Sequence, residues 1–205
     1  MPAKELRKSG KLKIGITGGI GSGKSLACKY FEKLGYKVIY ADRVAKELYS
    51  SNSQLINRLV AEFGKGILDE NGKLSRPNAR RIIFSDKRNI KRVNSIVHPF
   101  VFREMDKMVS RVKDKVVLFE AAIMFESGSY KRMDYVVLIY ANKETRIKRI
   151  IKRDGVKRRD VLNLMKLQLD EREKAKRADF VIKNNATAPA LEKNVKAFNR
   201  ILKTL

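Results

Sequence analysis

The stretch KIGITGGIGSGKS, residues 13–25, decides the fold of this chain. It begins with alternating apolar residues, Ile14 and Ile16, which predict a short buried strand. It ends in Lys24-Ser25, after which apolar residues recur with helical spacing. The glycine spacing matches G-x-x-x-x-G-K-[ST] between a strand and a helix, a loop that holds nucleotide phosphates. We therefore predict a nucleotide-phosphate site, against the alternative of a glycine-rich turn that holds no ligand.

The residue types of this loop suit that chemistry. Gly18, Gly21 and Gly23 let the backbone turn tightly and bring its N–H groups close to phosphate oxygens. The following helix adds free N–H groups and the positive end of its dipole. Lys24 can reach the β- and γ-phosphates, and the Ser25 hydroxyl can bind a phosphate-bound Mg²⁺ ion.

The composition excludes several classes of protein. The 205 residues suffice for one α/β core with a smaller appended element. No apolar run approaches the length of a transmembrane helix, and the basic start, residues 1–11, lacks the apolar centre of a signal peptide. Cys28 is the only cysteine, which rules out an intrachain disulfide, and we expect it to be a small buried hydrophobe. We expect a cytoplasmic protein with no membrane partner.

The charge balance is strongly basic, with 47 Lys and Arg residues against 22 Asp and Glu residues and a net charge of +25. Such a field attracts polyanions, whether phosphorylated metabolites or nucleic acid. The basic residues are nevertheless scattered among acidic ones, without an aromatic-interleaved patch that could stack bases. We expect a solvated basic surface and no specific nucleic-acid partner.

A second candidate site follows the next strand. Residues 36–40 predict that strand, and Asp42 comes directly after it, where ligands bind in open α/β sheets. Asp42 could accept a proton from a substrate hydroxyl or hold magnesium through water. It could equally be the N-cap of a helix beginning near Val44. Position alone leaves both interpretations open.

Residues 44–111 carry helical patterns and no strand pattern. This helical segment is longer than a simple crossover connection between two parallel strands requires. It therefore predicts a helical insertion that binds the second substrate. Within it, His98-Pro99 predicts a helix boundary, because the residue before a proline is disfavoured in the helical conformation. We prefer this structural interpretation of the only histidine to a catalytic one.

The rest of the chain predicts three further strands and an arginine-bearing helix. The strands are residues 116–119, followed by Glu120, residues 135–140 and residues 180–182. A helix over residues 143–153 places Arg146, Arg149 and Arg153 on one face. That face is either solvated or part of a lid that closes over ATP. Thr187 and Pro189 mark the start of a last helix, whose apolar stripe is Leu191, Val195, Phe198 and Leu202.

These elements predict an α/β protein with the P-loop kinase fold: a five-stranded parallel sheet flanked by helices, a helical substrate-binding insertion and a lid. We expect a single domain. Its core would comprise about 11–43, 112–142 and 178–205, with the insertion at about 44–111 and the lid at about 143–177. The residues themselves indicate an ATP-dependent phosphotransferase that acts on a small molecule.

In more detail, the chain resembles the dephospho-coenzyme A kinase family. The similarity comprises TGGIGSGKS at residues 17–25, Ala41-Asp42, His98-Pro99 and EAAIMFE at residues 120–126. It continues through Arg149, Arg153-Asp154 and a carboxyl-terminal pattern that runs from Gln168 and Lys174 to Asn184-Asn185. Glu120 and Ala122 depart from the family's usual Asp and Pro, and Leu26 replaces a frequent Thr.

The resemblance implies transfer of the ATP γ-phosphoryl group, with Mg²⁺, to the ribose 3′-hydroxyl of dephospho-coenzyme A. It implies that Asp42 is the general base, that Lys24 and Arg149 are catalytic, and that the insertion holds the pantetheine side. Ser25 would be the metal ligand. The residues implied to bind ATP are Gly19, Gly21, Ser22, Gly23, Lys24, Ser25, Leu26, Arg149, Arg153 and Asn184.

The sequence leaves two alternatives open. One is a P-loop kinase with another small acceptor, such as shikimate or a nucleoside monophosphate. The other is a nucleic-acid-binding protein that uses the net charge of +25, which would bind with a steep salt dependence. We expect a monomer or a small homo-oligomer.

Overall fold

The computed structural model describes residues 10–205, apart from the side chains of Phe84 and Lys87. The described chain divides into two compact units. The first combines the residues up to Ile39 with Val112–Leu205, and the second is Tyr40–Arg111. Within residues 10–205, no helix is both long enough and apolar enough to cross a membrane.

A five-stranded parallel sheet is the centre of the first unit, as predicted. Its order is β2-β3-β1-β4-β5, and the strands are β1 (Leu12–Thr17), β2 (Lys37–Tyr40), β3 (Val116–Glu120), β4 (Tyr135–Tyr140) and β5 (Phe180–Lys183). The apolar runs of β3 and β4 are buried because helices cover both faces of such a sheet. In the register of β1 with β3, Ile16 lies opposite Glu120, which places Glu120 beside the start of the phosphate loop.

The helices follow the predicted order closely. They are α1 (Lys24–Lys33), α2 (Ala41–Ser51), α3 (Ser53–Phe63), α4 (Arg76–Phe84), α5 (Lys87–Arg111), α6 (Lys143–Asp154), α7 (Arg158–Met165), α8 (Glu171–Arg177) and α9 (Ala188–Leu202). The predicted apolar stripe of α9 is buried along its whole length. Its Phe198 ring contacts the rings of Phe31 on α1 and Phe180 on β5, at centroid distances of 6.2 and 5.1 Å.

The second unit is helical and corrects one prediction. The expected boundary at His98-Pro99 is wrong, because α5 continues through Pro99. Proline lacks one N–H group, yet the apolar stripe of α5 is buried on both sides of it, from Val97 to Val101. Packing of this stripe against α2, α3 and α4 outweighs the lost hydrogen bond. His98 lies half-buried within the helix, where burial lowers the pKa of its imidazole.

Candidate functional site

The phosphate loop lies between β1 and α1 and borders a cavity of about 340 Å³. Residues 18–26 line this cavity together with Ala122, Arg153 and Gln168. The structure therefore brings most of the predicted ATP-binding residues to one place: Gly19, Gly21, Ser22, Gly23, Lys24, Ser25, Leu26 and Arg153.

The loop backbone presents donors suited to phosphate. Gly21 and Gly23 have φ values of 80° and 88°, a region in which a side chain is strained. Ser22 N–H donates to the carbonyl of Gly19. Within the described residues, the amides of Gly21, Gly23 and Ser25 have no hydrogen-bond partner. Unpaired N–H groups where a helix begins form an anion site, so the loop fits the phosphates of a nucleotide.

The Lys24 side chain is already engaged within the protein. Its ammonium group forms an ion pair with the Glu120 carboxylate, and the two side chains are only 11% and 6% exposed. Sequence reasoning placed Glu120 at the end of β3 but gave it no role. The ion pair makes Glu120 the carboxylate that neutralises the loop lysine.

Asn184 and Arg149 are predicted to bind ATP but do not line the cavity of the phosphate loop. Asn184 Nδ2 donates a 2.7 Å hydrogen bond to the Ser22 carbonyl, which fixes the loop to the residue after β5. Arg149 Nη1 donates to the Asn184 carbonyl at 3.0 Å, and Arg149 Nη2 donates to the Ala186 carbonyl at 2.9 Å. These acceptors are neutral, so they orient the guanidinium of Arg149 without cancelling its charge.

The three arginines of α6 have different environments, although their spacing predicts one shared face. Arg153 is exposed and pairs with Asp154. Arg146 is only 7% exposed and lies 3.2 Å from Glu171 Oε1, so the solvated-face interpretation is wrong for Arg146. The periodicity of one helix could not reveal its partner, because Glu171 belongs to α8.

The sequence did not predict which side chains accept hydrogen bonds from the amides of Gly19 and Ile20 in the loop. Gly19 N–H donates to Glu171 Oε1 at 2.9 Å, and Ile20 N–H donates to Gln168 Oε1 at 2.9 Å. Burial raises the pKa of the Glu171 carboxyl, while the nearby charges of Arg146 and Lys174 oppose that rise. The only sequence signal was the position of Gln168 and Lys174 in the carboxyl-terminal pattern.

Asp42 lies in the second unit and lines a cavity other than the phosphate cavity. The structure corrects the expected helix start near Val44: α2 begins at Ala41, so Asp42 is in its first turn and Tyr40 is the N-cap. Asp42 therefore is not the capping residue, and its side chain is exposed. It borders a mainly apolar cavity of about 530 Å³ within this unit, which Arg76 and Arg80 also line.

Ser25 is the candidate metal ligand at the loop. Its side chain is exposed in the first turn of α1 and lines the 340 Å³ cavity. Residues 10–205 contain no group of three or more His, Cys, Asp and Glu side chains that could hold a metal ion by themselves. A hydroxyl beside an anion cradle suits Mg²⁺, which takes few protein ligands and completes its shell with phosphate oxygens and water.

The loop, the order of the parallel strands and the cationic side chains at the cavity define a P-loop kinase. The family model described as "Dephospho-CoA kinase" matches residues 12–190, and the chain belongs to this family. The dephospho-CoA kinase of Fusobacterium nucleatum is 37% identical over 185 residues, which are 90% of this chain and 95% of that protein. The one from Aquifex aeolicus is 35% identical, over 90% of this chain and 94% of that protein.

Solved structures agree with this assignment. The protein TT1252 from Thermus thermophilus is similar with a TM-score of 0.81 at 33% identity, covering 94% of this chain and 98% of that one. The dephospho-CoA kinase from Campylobacter jejuni is similar with a TM-score of 0.69 at 28% identity, with the same coverage of the two chains. A shikimate kinase from Bacteroides thetaiotaomicron, at 15% identity and a TM-score of 0.54, shares the fold alone.

Proposed function

We propose that this protein transfers the γ-phosphoryl group of ATP to the ribose 3′-hydroxyl of dephospho-CoA, which yields coenzyme A and ADP. The observation that carries the proposal is the family match over residues 12–190, which includes the phosphate loop. Phosphoryl transfer depends mainly on positioning and on neutralising charge, and the loop supplies both.

ATP binding is the task of the first unit. The unpaired amides of Gly21, Gly23 and Ser25 donate to the phosphates. Lys24 leaves Glu120 and contacts the β- and γ-phosphates. The Ser25 hydroxyl would hold Mg²⁺, which would supply further neutralisation of the phosphate charge. Asn184 holds the loop through Ser22. The resemblance to the family implies that it would also lie near the adenine.

Asp42 is the general base in this proposal. The 3′-oxygen of the acceptor attacks the γ-phosphorus, its proton passes to the Asp42 carboxylate, and the bond to the β–γ bridging oxygen breaks to release ADP. Support comes from the position of Asp42, directly after β2 and without a capping role. Carboxyl ends of parallel strands are where ligands bind in such sheets.

Arg149 and Arg153 stabilise the charge that develops on the transferring group. Among the described contacts, the guanidinium of Arg149 donates to carbonyl and amide oxygens and not to a carboxylate. Arg153 lines the phosphate cavity and is exposed enough to leave Asp154. Oriented cations of this kind contribute through electrostatic stabilisation of the transition state.

The 530 Å³ cavity of the second unit is the proposed place for the apolar part of the acceptor. Its lining is mainly apolar, with Leu59, Phe63 and Ile67 among its walls, and suits the pantetheine arm. Arg76 and Arg80 at the same cavity suit the pyrophosphate of dephospho-CoA.

The position of the transferred phosphate tests this proposal. The protein is incubated with ATP, Mg²⁺ and dephospho-CoA, and fragmentation by mass spectrometry locates the new phosphate. The proposal predicts a phosphate on the 3′-oxygen of the ribose. A phosphate on any other atom, or none, would contradict it.

A further inference from the structure

Two amides at the entry of the phosphate loop are held by side chains from far along the chain. The N–H groups of Gly19 and Ile20 donate to Glu171 and Gln168, each at 2.9 Å. The amides of Gly21, Gly23 and Ser25 are unpaired within the described chain. The loop thus has an entry arm, Gly19-Ile20, bound to protein acceptors, and a later part whose donors remain available to a ligand.

Glu171 is itself fixed by buried charges. Its Oε1 lies 3.2 Å from Arg146 Nη1 and 3.8 Å from Lys174 Nζ, and all three residues are at least nine-tenths buried. Lys174 is fully buried and also pairs with Glu126 at 3.0 Å. The same Glu126 oxygen accepts the Leu169 N–H at 2.9 Å. These contacts hold the segment from Gln168 to Lys174 in one position.

Gly19 shows how closely this pair approaches the loop. The P-loop pattern accepts any residue at this position. A Cβ atom on Gly19, however, would collide with the Arg146 guanidinium and lie 2.5 Å from Glu171 Oε1. A side chain at position 19 would therefore force Arg146 and Glu171 to shift from the positions in which they contact the loop.

Stability alone does not account for this cluster. Buried ion pairs often contribute little net stability, because taking charges out of water costs as much as their attraction returns. Here Glu171 Oε2 and Arg146 Nε are buried without a hydrogen-bond partner among the described residues. The Ile20 side chain also packs against Ile147, Ile150 and Val161, so the entry arm is held at both backbone and side chain.

We propose that Glu171 and Gln168 are positioning residues for ATP binding: they hold the entry arm of the loop so that the later amides face the phosphates, with Arg146 and the Lys174–Glu126 pair fixing Glu171. This inference rests on the proposed function in that ATP is the nucleotide. It adds two residues outside the loop that determine nucleotide affinity: Glu171, which does not line the phosphate cavity, and Gln168, whose side chain accepts the Ile20 N–H at the edge of that cavity.

The test measures binding of adenylyl imidodiphosphate, a non-hydrolysable ATP analogue, by calorimetry without any acceptor. Glu171→Ala removes the acceptor of the Gly19 N–H, and the expected increase in Kd is about tenfold to a hundredfold. Glu171→Gln keeps an acceptor oxygen, so its Kd should return most of the way to the wild-type value. Glu173→Ala breaks only the exposed pair with Lys176 on the same helix and should leave Kd unchanged.

Hydrogen exchange of the ligand-free protein separates positioning from general loss of structure. In Glu171→Ala, peptides covering residues 17–26 should exchange faster, whereas peptides from β4 should exchange as in the wild type. Among the described side-chain contacts, Gln168→Ala loses only the hydrogen bond to Ile20. It should show the same exchange pattern, and it provides the test if Glu171→Ala does not fold.

The inference would be overturned if Gln168→Ala had the same Kd and the same exchange of residues 17–26 as Glu173→Ala and the wild type. It would also be overturned if exchange became faster throughout the protein while the Kd stayed unchanged. If the wild type itself bound no analogue, the proposed function would fail as well. Binding by the wild type with no effect of the variants would overturn the positioning role alone.

Discussion

The Lys24 ammonium and the Glu120 carboxylate form a buried ion pair between the phosphate loop and the end of β3. The lysine that the proposed function assigns to the nucleotide phosphates is thus neutralised by a carboxylate of the protein itself. In the proposed function, bound phosphates would replace Glu120 as the anionic partner of Lys24, so that the ammonium would keep an anion beside it.

Glu120→Gln should destabilise the ligand-free protein more than the nucleotide complex. Removing the carboxylate takes this anionic partner from the largely buried Lys24 ammonium, which should lower the free energy of unfolding by up to about 3–5 kcal/mol. Bound phosphates would restore an anion beside Lys24, so the loss should shrink with saturating ATP analogue. Urea unfolding with and without nucleotide measures both values, with Glu32→Gln on the exposed face of α1 as the control. An equal loss in the two states would mean that Lys24 does not move to the phosphates.

Arg149→Ala should lower kcat by about a hundredfold, because a charged group that stabilises the transition state is lost. Steady-state kinetics with varied ATP measures the effect. Arg158→Ala is the matched control, since Arg158 is exposed and already paired with Glu144 at 2.7 Å. If both variants turned over equally, Arg149 would serve only to connect α6 with Asn184.

Asp42→Asn should reduce kcat by about a hundredfold or more, with little change in the Kd of ATP. The amide keeps the shape of the side chain but cannot take the proton of the acceptor hydroxyl. Glu47→Gln, another exposed carboxylate on α2, should be close to the wild type. Wild-type turnover in Asp42→Asn would remove Asp42 from the mechanism.

Cys28 should be inert in the folded protein. Burial raises the pKa of its thiol to about 12 from an ordinary 9.0, with a smaller opposing effect of Lys24. Thiol reagents at neutral pH should therefore label Cys28 only after unfolding in urea. Because the folded state keeps the proton to higher pH, the free energy of unfolding should fall as the pH rises above about 9. Rapid labelling of the native protein would show that the thiol is accessible.

The local parts of the site could be predicted from sequence. The loop at residues 18–25 follows from a fixed pattern of residue types between a strand and a helix, and the family and the P-loop fold are confirmed. The apolar runs of β3 and β4 predict buried parallel strands because their side chains lack an alternating polar face.

The parts that could not be predicted are contacts between distant segments. Glu171 reaches Gly19 across 152 positions, and Asn184 reaches Ser22 across 162. Periodicity within one element carries no record of such pairs. The predicted boundary at Pro99 is wrong for a related reason: the local preference of proline favours a helix end, whereas tertiary packing along α5 decides the outcome.

The acceptor specificity of the purified protein tests the proposed function most directly. ADP release is followed with ATP and Mg²⁺ in parallel reactions that contain dephospho-CoA, shikimate or a nucleoside monophosphate. Transfer to dephospho-CoA predicts turnover with that acceptor and background rates with the other two. Turnover with shikimate or a nucleoside monophosphate instead would keep the phosphate site and contradict the proposed acceptor.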